Sequence, residues 1–341
     1  MRRKIFAVLG GGALWTSAVF LPAAAAPART LVLGAYTTPR EALNEIIPLF
    51  KAFWLRKTGE PVEVQASYLG SGAQSRAIAG GFEADVAVLS LEADVTRLEA
   101  AGLITRPWRD DRYKGMVTRS VVSFAVRRGN PEKVRDWPDL LRPGLEILTP
   151  DPKTSGGAQW NFLAAYGAAR RGWVNGFSAG DPGARAFAKE LLRRVKVMDK
   201  GARESIVNFE RGLGDVAITY ENEVRLSRRS GQEHELVIPR STLLIENPAA
   251  VVDVYADKHG VRAAADAFVE FLRSPEAQRV FARYGYRPVS AEVAAEFEKE
   301  FPPVEDLWTI GEFGGWARAT PAYFGPSGVY EELLRGIYSE R

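Results

Sequence analysis

The chain has 341 residues, 46% hydrophobic and 26% charged, the balance of a folded protein long enough for two cores; a disordered or collagen-like chain is excluded. With no cysteine, disulfides, thiolate metal sites, iron–sulfur clusters and cysteine nucleophiles are excluded as well. The two histidines, His234 and His259, are too few for a three-histidine metal site and too far apart for a zinc-protease helix. Carboxylate-only metal sites remain open, but no cofactor is expected.

In chain order, Arg2, Arg3 and Lys4 precede an apolar run from Ile5 to Leu21 and a small-residue stretch from Ala23 to Ala26, the pattern of an export signal cleaved near Ala26 or Ala28. Its removal lowers Lys+Arg from 45 to 42, against 42 Asp+Glu, so the basic pI belongs mostly to the signal. A mature chain of zero formal charge has no polybasic footprint, and no nucleic-acid partner is expected. No later stretch reaches about 18 uninterrupted apolar residues, so the mature chain should be free of the membrane.

Short β-branched runs then recur, each followed by a polar turn and usually a helix-period segment, which predicts a doubly wound α/β fold. The predicted strands are Thr30 to Ala35, Val62 to Ser67, Ala84 to Leu89, Val121 to Arg127, Glu146 to Thr149, Val195 to Met198, Asp215 to Tyr220, Leu236 to Ile238 and Val251 to Tyr255. The clearest helices are Pro39 to Lys57, Ala158 to Arg171, Gly183 to Arg194, Val261 to Arg273 and Pro275 to Tyr284. About 310 residues exceed one α/β core, and Val121 to Arg127 and Val251 to Tyr255 read as crossings between two lobes. Residues 29–120 plus 251–341 are assigned to the first lobe and 121–250 to the second, with a cleft between them.

Four strands end in turns rich in helix-starting residues. Thr37-Thr38-Pro39-Arg40-Glu41 has capping-box spacing between Thr38 and Glu41, with Pro39 suited to the first helical position. Gly70-Ser71-Gly72-Ala73-Gln74 repeats that spacing, Thr154-Ser155-Gly156-Gly157-Ala158 allows close backbone approach, and Gly201-Ala202-Arg203-Glu204 is the fourth. Each helix N-terminus leaves unpaired N–H donors and carries about half a positive charge, so several aimed at one point would form an anion site. The tips offer donors but no Asp or Glu acceptor, which favours an anion without protons. Phosphate keeps a proton near neutral pH and would leave a group unpaired at a cost of about 1 to 3 kcal/mol; sulfate carries none.

These residues resemble the periplasmic sulfate-binding proteins of ABC transporters and their thiosulfate-binding relatives. The resemblance covers nearly the whole mature chain. It is carried by Gly70-Ser71-Gly72-x-Gln74, the run from Asp151 to Asn161, Gly201-Ala202-Arg203, Gly214-Asp215-Val216 through Glu221-Asn222-Glu223, and Phe313-Gly314-Gly315-Trp316. It implies a type II periplasmic binding protein fold, in which two doubly wound lobes joined by two hinge strands close on a dehydrated oxyanion held by uncharged donors. Carried over, those donors are the amide of Thr37, the hydroxyls of Ser71 and Ser155, and the amides of Gly156, Gly157 and Ala202. Thr37 stands where the family usually has Asp, a mild change for a main-chain donor. Tyr220 stands where it usually has a Trp whose indole N–H binds the anion; Tyr can also donate, with a different reach. The implied partners are sulfate or thiosulfate and a membrane permease, and a monomer in the periplasm is expected.

Competing signals are few. Gly176-Phe177-Ser178-Ala179-Gly180 matches the G-x-S-x-G pattern, and Asp253 or Asp257 with His259 would complete an exported serine hydrolase. A nucleophile elbow needs a strand before the serine and a helix directly after, whereas a helical segment precedes Ser178 and Asp181-Pro182 follows. The same fold could instead take molybdate or phosphate. Both histidines are expected in exposed loops, the scattered tryptophans in packing, and Glu221 and Glu223 in a helix's first turn.

Overall fold

Alternation puts Leu31 and Leu33 of the first strand in the core, and the same period-two rule recurs along the chain. The computed structural model describes residues 28–340; residues 1–27, which carry the predicted export signal, lie outside this range. The elements are β1 (Arg29–Tyr36), α1 (Arg40–Thr58), β2 (Val62–Leu69), α2 (Ser71–Ala79), β3 (Val86–Val88), α3 (Glu92–Ala100), β4 (Met116–Val126), β5 (Ile147–Pro150), α4 (Gly156–Arg170), α5 (Asp181–Arg193), β6 (Val195–Asp199) and α6 (Ala202–Glu210). There follow β7 (Val216–Tyr220), α7 (Glu221–Arg229), β8 (Glu235–Val237), β9 (Ser241–Val251), α8 (Asp253–Lys258), α9 (Arg262–Phe271), α10 (Pro275–Arg283), α11 (Ala291–Glu296), β10 (Asp306–Trp308), α12 (Trp316–Ala319) and α13 (Val329–Tyr338).

The strand order is β2-β1-β3-β9-β4-β7-β5-β6, with β10 on β9 and β8 on β4. Two parallel triplets, β2-β1-β3 and β7-β5-β6, flank the antiparallel pair of long strands β4 and β9. β9 pairs with β3 through Ala249–Val251, while β4 pairs with β7 through Val122–Val126, so the β4–β9 pair joins the two halves of the sheet. In each triplet the parallel strands end at turns that start helices, and these carboxyl edges face one another across the crossings. Ligands of open α/β sheets lie at such edges.

Two elements differ from the sequence-based expectation. The second crossing is Ser241–Val251 rather than Val251 to Tyr255; β9 ends at Val251 and Asp253–Lys258 is helical. Pro248 disguises this strand, but it sits opposite the register shift between Met116 and Thr118, where a missing N–H breaks no regular ladder. The C-terminal segment, grouped by sequence with the first lobe, packs from Asp306 onward on the second. The Trp308 ring lies so close to Gly167 of α4 that a Cβ there would meet it at 2.2 Å, Phe162 of α4 faces Phe324 and Tyr330 with ring centroids 5.7 and 5.3 Å apart, and Arg171 pairs with Asp306 at 2.6 Å. Among the described residues no helix is long and apolar enough to cross a membrane.

Neither histidine occupies an exposed loop. His234 is buried edge-on against Phe209, and burial lowers its pKa. His259, partly buried, lies between two carboxylates, with Nδ1 2.7 Å from Asp85 and Nε2 2.9 Å from Glu83. Asp85 is itself fully buried and accepts the Val32 N–H, so the imidazole ties the end of α8 to the edge of β1. Burial pulls the His259 pKa down, but the hydrogen bonds and charges of Asp85 and Glu83 outweigh it and hold the group above its ordinary value. The stabilisation is therefore complete below the unfolded value, about 6.5, and is lost as pH rises through the folded value. In thermal melts between pH 5 and 9, the stability advantage of the native chain over His259→Gln should shrink as pH rises; an advantage that grows with pH would contradict the clamp.

Candidate functional site

The carboxyl edges of both triplets close around a small cavity lined by Tyr36, Thr37, Thr38, Gly70, Ser71, Ser90, Ser155, Gly156, Gly157, Ala202 and Tyr220. Every candidate residue taken from the sequence, Thr37, Ser71, Ser155, Gly156, Gly157, Ala202 and Tyr220, is on this wall. No lining side chain is charged.

Helix geometry explains why donors gather here. Ser71 is the first residue of α2, Gly156 and Gly157 open α4, and Ala202 opens α6, so their N–H groups belong to the turn that has no intrahelical acceptor. Ser155 caps α4 by accepting from the Ala158 N–H, leaving its own hydroxyl proton unassigned. Thr37 and Thr38 line the cavity from the turn between β1 and α1, just ahead of the helix start at Arg40. Close approach needs the two glycines: a Cβ on Gly156 would lie 2.7 Å from Ser90 Oγ, and one on Gly157 would lie 2.8 Å from the Tyr220 ring and 3.1 Å from Ala202 Cβ.

One expected donor is redirected. The Ser71 hydroxyl donates to Asp94 Oδ2 at 2.6 Å and accepts the Ser90 N–H at 2.8 Å, so what Ser71 offers the cavity is its amide and not its hydroxyl. Asp94, buried on α3, is balanced by Arg97 at 2.7 Å. Sequence reasoning missed Ser90, which follows the three-residue strand β3 and sits in no helix-start pattern; its proximity to Ser71 arises only in the fold. Ser90 Oγ lies 2.7 Å from the Tyr220 hydroxyl, while its carbonyl accepts from Trp160 Nε1 at 3.1 Å and Asn247 Nδ2 at 2.9 Å. Burial pushes the Tyr220 phenol well above its ordinary pKa, so it stays protonated.

The halves of the molecule are shut on the cavity. A Cβ on Gly70 would lie 2.8 Å from the Thr154 carbonyl and 3.1 Å from that of Lys200, the turns that lead into α4 and α6. Beside this contact, Arg203 of α6 reaches Glu41 of α1 at 2.7 Å and the Thr38 carbonyl at 3.0 Å, while its Nε lies 2.8 Å from Glu223 of α7. Burial works against the Arg203 charge, but Glu223 and Glu41 outweigh it and hold the guanidinium firmly protonated. Glu221, the other carboxylate of that motif, is buried against Arg225 at 2.8 Å and Arg287 at 2.7 Å. Ion pairs thus surround the site without entering it.

Chemically the cavity can supply N–H and O–H donors to a small acceptor-rich group. Among the described residues no cluster of His, Asp and Glu could hold a metal ion. Ser178 stands exposed in the turn between α4 and α5, with no strand before it, while His259 is engaged with Glu83 and Asp85; the elbow of a serine hydrolase is not formed.

A family model described as bacterial extracellular solute-binding protein matches residues 31–287. The sulfate-binding protein of Synechocystis sp. is 42% identical over 92% of this chain and 89% of its own length, and that of Escherichia coli is 39% identical over 88% and 91%. The thiosulfate-binding protein of Escherichia coli is 35% identical over 90% of this chain and 91% of its own. Among solved structures, the sulfate-binding protein SubI from Mycobacterium tuberculosis superposes with a TM-score of 0.80 at 40% identity, covering 87% of this chain and 99% of that one. With a two-lobed sheet, an uncharged cavity at its centre and these relatives, the chain belongs to the bacterial extracellular solute-binding proteins, in the group of the sulfate- and thiosulfate-binding proteins.

Proposed function

We propose that this protein captures sulfate, and with lower preference thiosulfate, in the cavity between its lobes and delivers it to an ABC importer in the periplasm. The observation that carries the reading is a cavity with no charged side chain, onto which the starts of α2, α4 and α6 and the turn that leads into α1 open from both halves of the sheet. On this reading the amides of Thr37 and Ser71 approach the anion from one side. The Ser155 hydroxyl and the amides of Gly156, Gly157 and Ala202 approach from the other. Donors from both sides make closure follow from the ligand: an anion touching both stabilises the shut form over an open one. The mature chain would begin near Ala26 or Ala28, act as a monomer and catalyse no reaction. The lobes would hinge where β4 and β9 cross, with residues from Asp306 onward moving with the second lobe.

Sulfate fits a wall of amide and hydroxyl donors without an Asp or Glu acceptor better than its protonated analogues, because a proton on the ligand that faces an amide N–H leaves a desolvated group unpaired. Thiosulfate replaces one oxygen by a larger sulfur that is a weaker acceptor. A micromolar affinity is about −8 kcal/mol, within reach of several hydrogen bonds to a charged group at roughly 1.5 to 3 kcal/mol each after association costs.

Titration calorimetry with sulfate, thiosulfate, molybdate and phosphate between pH 5 and 8 should give the tightest binding for sulfate, with phosphate about tenfold or more weaker at every pH; tighter phosphate binding anywhere in that range contradicts the reading. Gly156→Ala should fold but weaken sulfate about tenfold or more, because its Cβ meets Ser90 and Leu91 of the first lobe when the lobes shut. Glu41→Gln, which removes one carboxylate from the Arg203 bridge, should weaken sulfate by about two- to fivefold, less at high salt, and shift the unliganded protein in small-angle scattering toward the open form.

A further inference from the structure

Ser90 and Tyr220 form a hydroxyl–hydroxyl contact on the cavity wall that spans the two triplets: Ser90 follows β3, and Tyr220 ends β7. The pair holds two O–H protons and one mutual hydrogen bond, so one proton remains for something else. A phenol is the stronger donor and an aliphatic hydroxyl the stronger acceptor, which orients the mutual bond from Tyr220 to Ser90 Oγ. The spare proton is then on Ser90. Its location also favours this: Ser90 Oγ would lie 2.7 Å from a Cβ on Gly156, the first residue of α4, and the Ser90 N–H is bonded to Ser71, the first residue of α2. Tyr220 instead presents a ring edge to Gly157, with its Cε2 2.8 Å from where a Cβ would be.

We propose that Ser90 is a direct ligand of the bound oxyanion and that Tyr220 acts through it, as a positioning residue whose O–H polarises the serine hydroxyl toward the ligand. This rests on the reading that the cavity takes sulfate. Hydrogen-bond chains strengthen each member in a dry interior, so the Ser90 donor is stronger with Tyr220 behind it than alone. The relay also couples ligand contact to closure, because its first bond exists only when β3 and β7 bring their ends together. Burial of the phenol keeps its proton in place across the neutral range.

The test is a double-substitution cycle read by sulfate titration calorimetry, with a crystal structure of the wild-type sulfate complex. Ser90→Ala should weaken sulfate about 10- to 100-fold, the loss of a hydrogen bond to a charged group, and Ser90→Thr should recover most of it. Tyr220→Phe should cost only about two- to fivefold, and on the Ser90→Ala background it should cost nothing further, since the phenol then has no partner to act through. In the complex, Ser90 Oγ should lie within hydrogen-bond distance of a sulfate oxygen and the Tyr220 hydroxyl beyond it. A further fivefold or greater loss from Tyr220→Phe on the Ser90→Ala background, or a direct Tyr220–sulfate bond in the crystal, overturns the relay. So does unaltered binding by a Ser90→Ala protein whose circular dichroism melt matches wild type. Should Ser90→Ala fail to fold, Tyr220→Phe and the crystal structure still decide. Wild-type protein that binds no sulfate defeats the functional reading itself, an outcome distinct from failure of the relay.

Discussion

The constraint on which this molecule depends is electrostatic: a site without a charged side chain can hold an anion only if enough oriented, uncharged donors replace its water. Three helix starts and the turn that leads into a fourth gather on one cavity, and on the proposed reading they supply those donors. The rest of the architecture follows from bringing them together. Each triplet of parallel strands aims two of these helix starts across its carboxyl edge, and the antiparallel pair β4–β9 turns the two edges toward each other.

Charge is kept nearby but outside. Arg203 is in the first turn of α6, adjacent to Ala202, yet its guanidinium faces Glu41, Glu223 and the Thr38 carbonyl. Asp94 is one residue removed from the cavity through Ser71 and is balanced by Arg97. An arginine in the cavity would bind phosphate and sulfate by the same attraction; donors in fixed directions distinguish ligands by where their protons are. The ion pairs instead act on the shut arrangement of the two halves, where partial exposure keeps their contribution modest.

The first lobe and the second share a sheet and meet both at the cavity rim and where Glu221 of α7 pairs with Arg287. Gly70 against Thr154 and Lys200, Ser90 against Tyr220, and Arg203 against Glu41 all lie within the same small region. Ordering a small group there acts where the two halves meet, away from the aromatic contacts of Phe50 with Phe268 and Phe271 on one side and of Tyr323 with Tyr166 and Phe313 on the other. Such an arrangement suits rigid bodies moving about β4 and β9.

Much of the site was legible in the chain because helix starts are local. Ser155-Gly156-Gly157 announces a cap and a close approach within three residues; Gly70-Ser71 and Gly201-Ala202 mark helix starts without a side-chain cap, and the capping boxes expected at Thr38–Glu41 and Ser71–Gln74 are not formed. The strands of both triplets were readable for the same reason, β-branched runs broken by turns. What residues within one turn of each other can decide, sequence alone determined: which amides are left without partners, and that glycine must stand beside them. Partners distant in the chain were decided only by the tertiary structure. The Ser71 hydroxyl turns to Asp94, Ser90 reaches Tyr220 across 130 positions, β9 runs through Pro248 at a register shift, and the chain from Asp306 onward settles on α4. A side-chain hydroxyl or a strand edge pairs with whatever the sheet order brings beside it, and that order is set by the burial of the whole core rather than by any neighbouring residue.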